Sequence, residues 1–82
     1  MPSIQIYSRP GCHLCEQLIE EITPLLRGRA VLEILNIDSR PDWREEYDSR
    51  VPVVELDGRL VCEYRLDRAE LHRALSGTDS GP

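Results

Sequence analysis

Apolar and polar residues alternate over positions 3–7, so that Ile4 and Ile6 fall on one side of an extended chain. A period of two is that of a half-buried β-strand. Arg9-Pro10-Gly11 ends it, because proline lacks the N–H that a central ladder needs and glycine supplies turn freedom. From Cys12 the period changes: Leu14, Leu18, Ile22 and Leu25, with Ile19 and Leu26 beside them, recur at helical spacing. They predict a first helix from about Cys12 to Leu26, with a bend or early end at Pro24 and a stop at Gly28. Residues 31–37 are β-branched and mostly apolar, the composition of a strand covered by helices. Asp38 or Ser39 then caps a short polar helix through Tyr47, with Pro41 near its first turn and Trp43 and Tyr47 on one side. Residues 51–56 and 60–64 flank Asp57-Gly58, a hairpin signal that makes the last strand antiparallel to its predecessor. Asp67 and Glu70 open a final helix in the manner of a capping box, and Leu66, Leu71 and Leu75 carry its apolar stripe to a Gly77 stop. The order is β-α-β-α-β-β-α, with a right-handed crossover joining the first two strands. A single domain over residues 1–76 is expected, followed by a mobile tail over residues 77–82.

Composition narrows the function classes. A chain of 82 residues supports one modest core, and 40% hydrophobic against 30% charged residues favours folding over disorder. The apolar runs are too short to span a bilayer, and the first residues lack a basic-then-apolar secretory pattern. A cytoplasmic protein is expected, where a close cysteine pair more often means redox or metal chemistry than a structural staple. Ten arginines, no lysine and fifteen acids leave a net charge of −5, which argues against a nucleic-acid partner. Without lysine there is neither Schiff-base catalysis nor a P-loop. The expectation is a monomer that binds neither nucleic acid nor membrane.

Two of the three cysteines, Cys12 and Cys15, stand three residues apart where the first helix opens. That spacing makes them neighbours on a helix, close enough to form and break a disulfide with little movement. Cys12 in the first turn faces unpaired backbone N–H groups and the positive helix end, which favour the nucleophilic thiolate. Arg9 and a protonated His13 add to this, whereas Glu16 opposes it. Cys15, one turn inside, suits a resolving role: it attacks the mixed disulfide that Cys12 forms with a substrate. Zinc is the main rival reading, with Cys12, Cys15, His13, Cys62 and His72 as nominal ligands, but no second pair stands at finger spacing, and no metal site is assigned. A purely structural disulfide would close too short a loop to stabilise much. Cys62, following Val61 in the return strand, reads as a small packing residue.

The stretches YSRPGCHLC and RVPVVELDGRLV resemble, in turn, the active-site pattern and the "TVPxVFIxGxxI" segment of the glutaredoxin-like branch of the thioredoxin superfamily. The resemblance covers about residues 3–76 and implies a thioredoxin fold: α/β, with a four-stranded mixed sheet in order 2-1-3-4 flanked by three helices. It implies a thiol–disulfide oxidoreductase that reduces protein or small-molecule disulfides through a Cys12–Cys15 redox disulfide, with no tightly bound cofactor and glutathione as a possible external reductant. It further implies a cis Val51–Pro52 bond, with Val51 and Pro52 beside the cysteines and the Val51 backbone pairing with an extended substrate; Arg9 and His13, next to the cysteines in the chain, are further candidate substrate contacts. His13-Leu14 departs from the family's Pro-Tyr, and Cys62-Glu63-Tyr64-Arg65 from its glutathione-holding Gly-Gly-x-Asp. At the latter place two glycines become side chains and an anion becomes a cation. The alternative class is a non-catalytic binding module of the same fold, or a metal-binding dithiol protein.

Overall fold

The computed structural model describes residues 1–79. The chain runs β1 (Ser3–Ser8), α1 (His13–Leu26), β2 (Val31–Asn36), a 3₁₀ turn (Ile37–Ser39), α2 (Pro41–Tyr47), β3 (Val53–Leu56), β4 (Arg59–Glu63) and α3 (Arg68–Asp79). The strands form one sheet in the order β2-β1-β3-β4. β2 is parallel to β1, while β3 is antiparallel to β1 and β4 to β3. Element order and sheet are those the sequence implies, with the 3₁₀ turn added.

The alternation of β1 places Ile4 and Ile6, both wholly buried, on the sheet face that receives Leu18, Ile22 and Leu26 from one side of α1. Leu71 and Leu75 of α3 and Val54, Leu56 and Cys62 of the hairpin complete this main cluster. Each such aliphatic residue removed from water contributes roughly 1.5–3 kcal/mol before chain entropy is counted. At the hairpin tip Asp57 and Gly58 both take positive φ (49° and 88°), the primed turn that matches strand twist. Asp57 also ties the tip to the start of β1: its Oδ1 accepts the Ser3 N–H at 3.1 Å, and its own N–H donates to the Ser3 carbonyl at 2.9 Å.

The opposite sheet face is covered at one end only, where α2 lays Trp43 and Tyr47 against Tyr7. β2 is therefore not the covered strand its composition suggests. It occupies a sheet edge, and Val31 and Ile34 remain 52% and 51% exposed. Pro24 lies inside α1 without ending it, two residues short of the last helical position. Neither Asp38 nor Ser39 caps α2: its cap position is Arg40, which makes no side-chain cap bond, and Pro41 stands in the first turn, where a missing N–H costs nothing. Asn36 caps the 3₁₀ turn instead, Oδ1 accepting the Asp38 N–H at 2.9 Å. The expected cap of α3 is present, Asp67 Oδ1 accepting the Glu70 N–H at 3.0 Å. That helix continues through Gly77 to Asp79, and only residues 80–82 of the expected tail lie outside the described residues. Among the described residues no helix is long and apolar enough to cross a membrane.

Candidate redox site

Gly11 takes φ 78°, a left-handed conformation open to glycine without a Cβ penalty, and so folds the chain back until the Cys12 N–H reaches the Arg9 carbonyl at 3.3 Å. Cys12 thereby becomes the N-cap of α1. Its Sγ accepts the Cys15 N–H at 3.2 Å, the position at which a serine or aspartate oxygen usually caps a helix. Both cysteines are free thiols; Cys12 is half-buried and Cys15 only 2% exposed. The Cys15 thiol is pushed up to about 12, by burial first and then by its hydrogen bond with Cys12, while the Arg9 backbone pulls the other way. Cys12 thus stands half-buried at the helix mouth, and Cys15 lies buried behind it holding its proton.

Residues 3–76 match the family described as Glutaredoxin-like domain (DUF836). The chain belongs to this glutaredoxin-like family. An uncharacterized protein of Mycobacterium bovis is 32% identical to the domain, covering 94% of this chain and 90% of that relative. The solution NMR structure of protein Ne2328 from Nitrosomonas europaea superposes with a TM-score of 0.79 at 32% identity, covering 89% of each chain. Oxidized mitochondrial thioredoxin 3 of Saccharomyces cerevisiae superposes with a TM-score of 0.67 at 17% identity, over 93% of this chain and 77% of that one, a likeness of fold alone. Fold and family together point to thiol redox chemistry.

In this glutaredoxin-like domain Cys15 shares a second, smaller cluster with Ile37 and Val51, against which Tyr7, Cys12, Trp43 and Tyr47 pack. The Val51–Pro52 bond is cis, as the resemblance implies. Val51 and Pro52 are buried beside the pair, and the Val51 N–H already donates to the Tyr47 carbonyl at 3.1 Å. The loop is held from the hairpin side. Arg50 binds Glu63 at 2.5 Å and Glu46 at 3.0 Å, the Tyr64 N–H donates to the Pro52 carbonyl at 2.9 Å, and the Tyr64 hydroxyl donates to the Ser49 carbonyl. These bonds hold Tyr64 at φ 66°, a conformation costing a side-chain-bearing residue roughly 1–3 kcal/mol.

The other expected site residues are placed differently. His13 is exposed at the first position of α1. The Arg9 guanidinium points at the domain's own carboxylates, 2.6 Å from Asp48 and 3.2 Å from Asp38. These hydrogen bonds hold its charge more firmly than usual. Cys62 lies in the main cluster with Val54, apart from the other two, its thiol pushed up by burial. Among the described residues no three His, Cys, Asp or Glu side chains converge as metal ligands would. A cleft of about 460 Å³ separates α1 from the segment after β4, with Leu14, Gln17 and Glu21 on one wall and Tyr64, Arg65 and Leu66 on the other.

Sequence reasoning missed Tyr7, Ile37, Asp38 and Asp48 as neighbours of the site. Tyr7 carried a usable signal: alternation sets it on the face opposite Ile4 and Ile6, one residue before the turn. Asp38 lies 29 positions from Arg9, and no local pattern reports a pairing at that separation.

Proposed function

We propose that this glutaredoxin-like domain is a thiol–disulfide oxidoreductase, with Cys12 as nucleophile and Cys15 as resolving thiol. The observation that carries the reading is the half-buried Cys12 at the mouth of α1, its Sγ accepting a backbone N–H, with a buried thiol one turn behind it. The Cys12 thiolate attacks a substrate disulfide R–S–S–R′, forming Cys12–S–S–R and releasing R′S⁻, which takes up a proton. Cys15 then loses its proton and attacks the Cys12 sulfur, so that RS⁻ leaves and the Cys12–Cys15 disulfide remains. Two electrons have passed to the substrate, and an external thiol, glutathione or a dithiol protein, returns them. A cytoplasmic monomer acting on protein or low-molecular-weight disulfides fits this scheme.

Trapping tests the division of labour. Cys15→Ser should accumulate a stable mixed disulfide with a disulfide substrate, Cys12→Ser should accumulate none, and the wild type should exchange with a dithiol. If neither the wild type nor either variant exchanges, the chain is a non-catalytic binding module of this fold.

A further inference from the structure

Tyr64 stands one residue past the end of β4 at φ 66°, and around it the Arg65 N–H donates to the Glu63 carbonyl at 2.7 Å. A bond spanning three residues about a central positive φ is the rare, strained form of that turn. Glycine would adopt it freely, whereas a side chain kept there calls for a compensating contact. Core burial is not that contact, because Tyr64 remains 50% exposed. The turn instead directs both polar groups of Tyr64 to one short loop: its N–H donates to the Pro52 carbonyl at 2.9 Å and its hydroxyl to the Ser49 carbonyl. The same loop is fixed from α2, where the Tyr47 carbonyl accepts the Arg50 N–H at 2.8 Å and the Val51 N–H at 3.1 Å. Between these two ties lies Val51. It and Ile37 are the buried residues that share a cluster with Cys15, and Ile37 belongs to the 3₁₀ turn, so Val51 is the loop's part of the cover over that thiol. The spacing of the two cysteines is set elsewhere, by the opening turn of α1, where the Cys15 N–H donates to Cys12 Sγ at 3.2 Å. Loosening the loop would therefore uncover Cys15 without moving it away from Cys12.

We infer that Tyr64 is a positioning residue: it latches residues 49–52 over Cys15, so that disulfides in solution reach Cys12 and not the resolving thiol. The inference rests on the oxidoreductase reading above. What the latch supplies to that reaction is order. An uncovered Cys15 would itself attack an external disulfide R–S–S–R′, forming Cys15–S–S–R while R′S⁻ leaves and takes up the thiol's proton. The substrate would then sit on the thiol meant to displace it.

The test uses the full chain in a Cys12→Ser background, where Cys15 and Cys62 are the remaining thiols. Alkylation by iodoacetamide under native conditions, followed at each thiol by peptide mass, is compared between C12S and C12S/Y64F. Phenylalanine keeps the ring and the backbone bonds and removes only the hydroxyl tie. The loss of one hydrogen bond from a local opening should speed Cys15 alkylation about three- to tenfold, with Cys62, in the main cluster, unmoved. Given a chromogenic disulfide, C12S should stay unmodified and C12S/Y64F should gain a mixed disulfide at Cys15. Cys15 and Cys62 rising together would mark a general loss of stability, and an unmoved Cys15 would show that the hydroxyl holds nothing shut; either result overturns the inference. A wild type that does not exchange with a dithiol would remove the oxidoreductase reading, and the role of the latch with it, even where Cys15 alkylation responds as expected.

Discussion

Cys12 and Cys15 are the same side chain with opposite surroundings, and that asymmetry has kinetic consequences. Cys15 cannot attack a mixed disulfide while it holds its proton, and its thiol is pushed up to about 12 chiefly by burial, which persists when Cys12 carries a substrate. The rate at which a preformed Cys12 mixed disulfide releases its thiol should rise about tenfold per pH unit through the neutral and alkaline range, following the thiolate fraction. Stopped-flow release of a chromogenic thiol measures this, and a flat profile would show that some group takes the proton at neutral pH. Stability carries the same sign. A thiol raised in the folded state binds its proton more tightly there than in the unfolded chain, where its value is about 8.5. The reduced protein should be most stable below that point and lose stability as pH climbs toward 12, and denaturant titrations should find a smaller loss for Cys15→Ser. Cys62, also raised by burial, accounts for part of the remainder.

At the scale of elements, the hairpin offers a clean measurement. Gly58 holds φ 88° with nothing within 4 Å of a Cβ built on it, so Gly58→Ala meets no clash and its cost is conformational alone. Urea unfolding should show a loss of about 1–2 kcal/mol, with thiol exchange unchanged. Gly11 has the same open surroundings at φ 78°. Gly11→Ala should cost a similar amount and slow exchange as well, because that turn seats Cys12 against the Arg9 carbonyl. These turns were legible in the sequence because their chemistry is local. So were the alternation of β1, the stripe of α1 and the cysteine pair at a helix start, since each is decided by residues a few positions apart. The resemblance added the strand order and the cis Val51–Pro52 bond. What could not be read was decided between elements: Val31 and Ile34 have the composition of a covered strand, yet β2 takes a sheet edge, where both side chains stay exposed. The pairing of Arg9 with two acids was hidden in the same way. Asp38 reads locally as a helix cap and Asp48 as part of a solvated acidic face, and only the folded chain brings both to one guanidinium.

Across the whole molecule two clusters share the sheet, and they divide the cysteines. The main cluster takes Cys62, packed with Val54 and Leu71, while the smaller one takes Cys15 with Cys12 against it. Three thiols in a small domain would invite shuffling, but here packing separates the third from Cys12 and Cys15. Under native conditions an alkylating reagent should modify Cys12, the half-buried cysteine, and spare Cys15 and Cys62 until the chain unfolds, when all three react. Intact-mass measurement reads the difference directly. Cys62→Ala should leave the exchange rate as it is and lower stability by about 1 kcal/mol, the scale of a small loss from a packed core. Cys62→Ser should cost more, because a hydroxyl is costlier than a thiol to take out of water. A Cys62→Ala protein that folds but exchanges slowly would mean that the third thiol takes part in the reaction, and the separation of structural core from redox site would have to be abandoned.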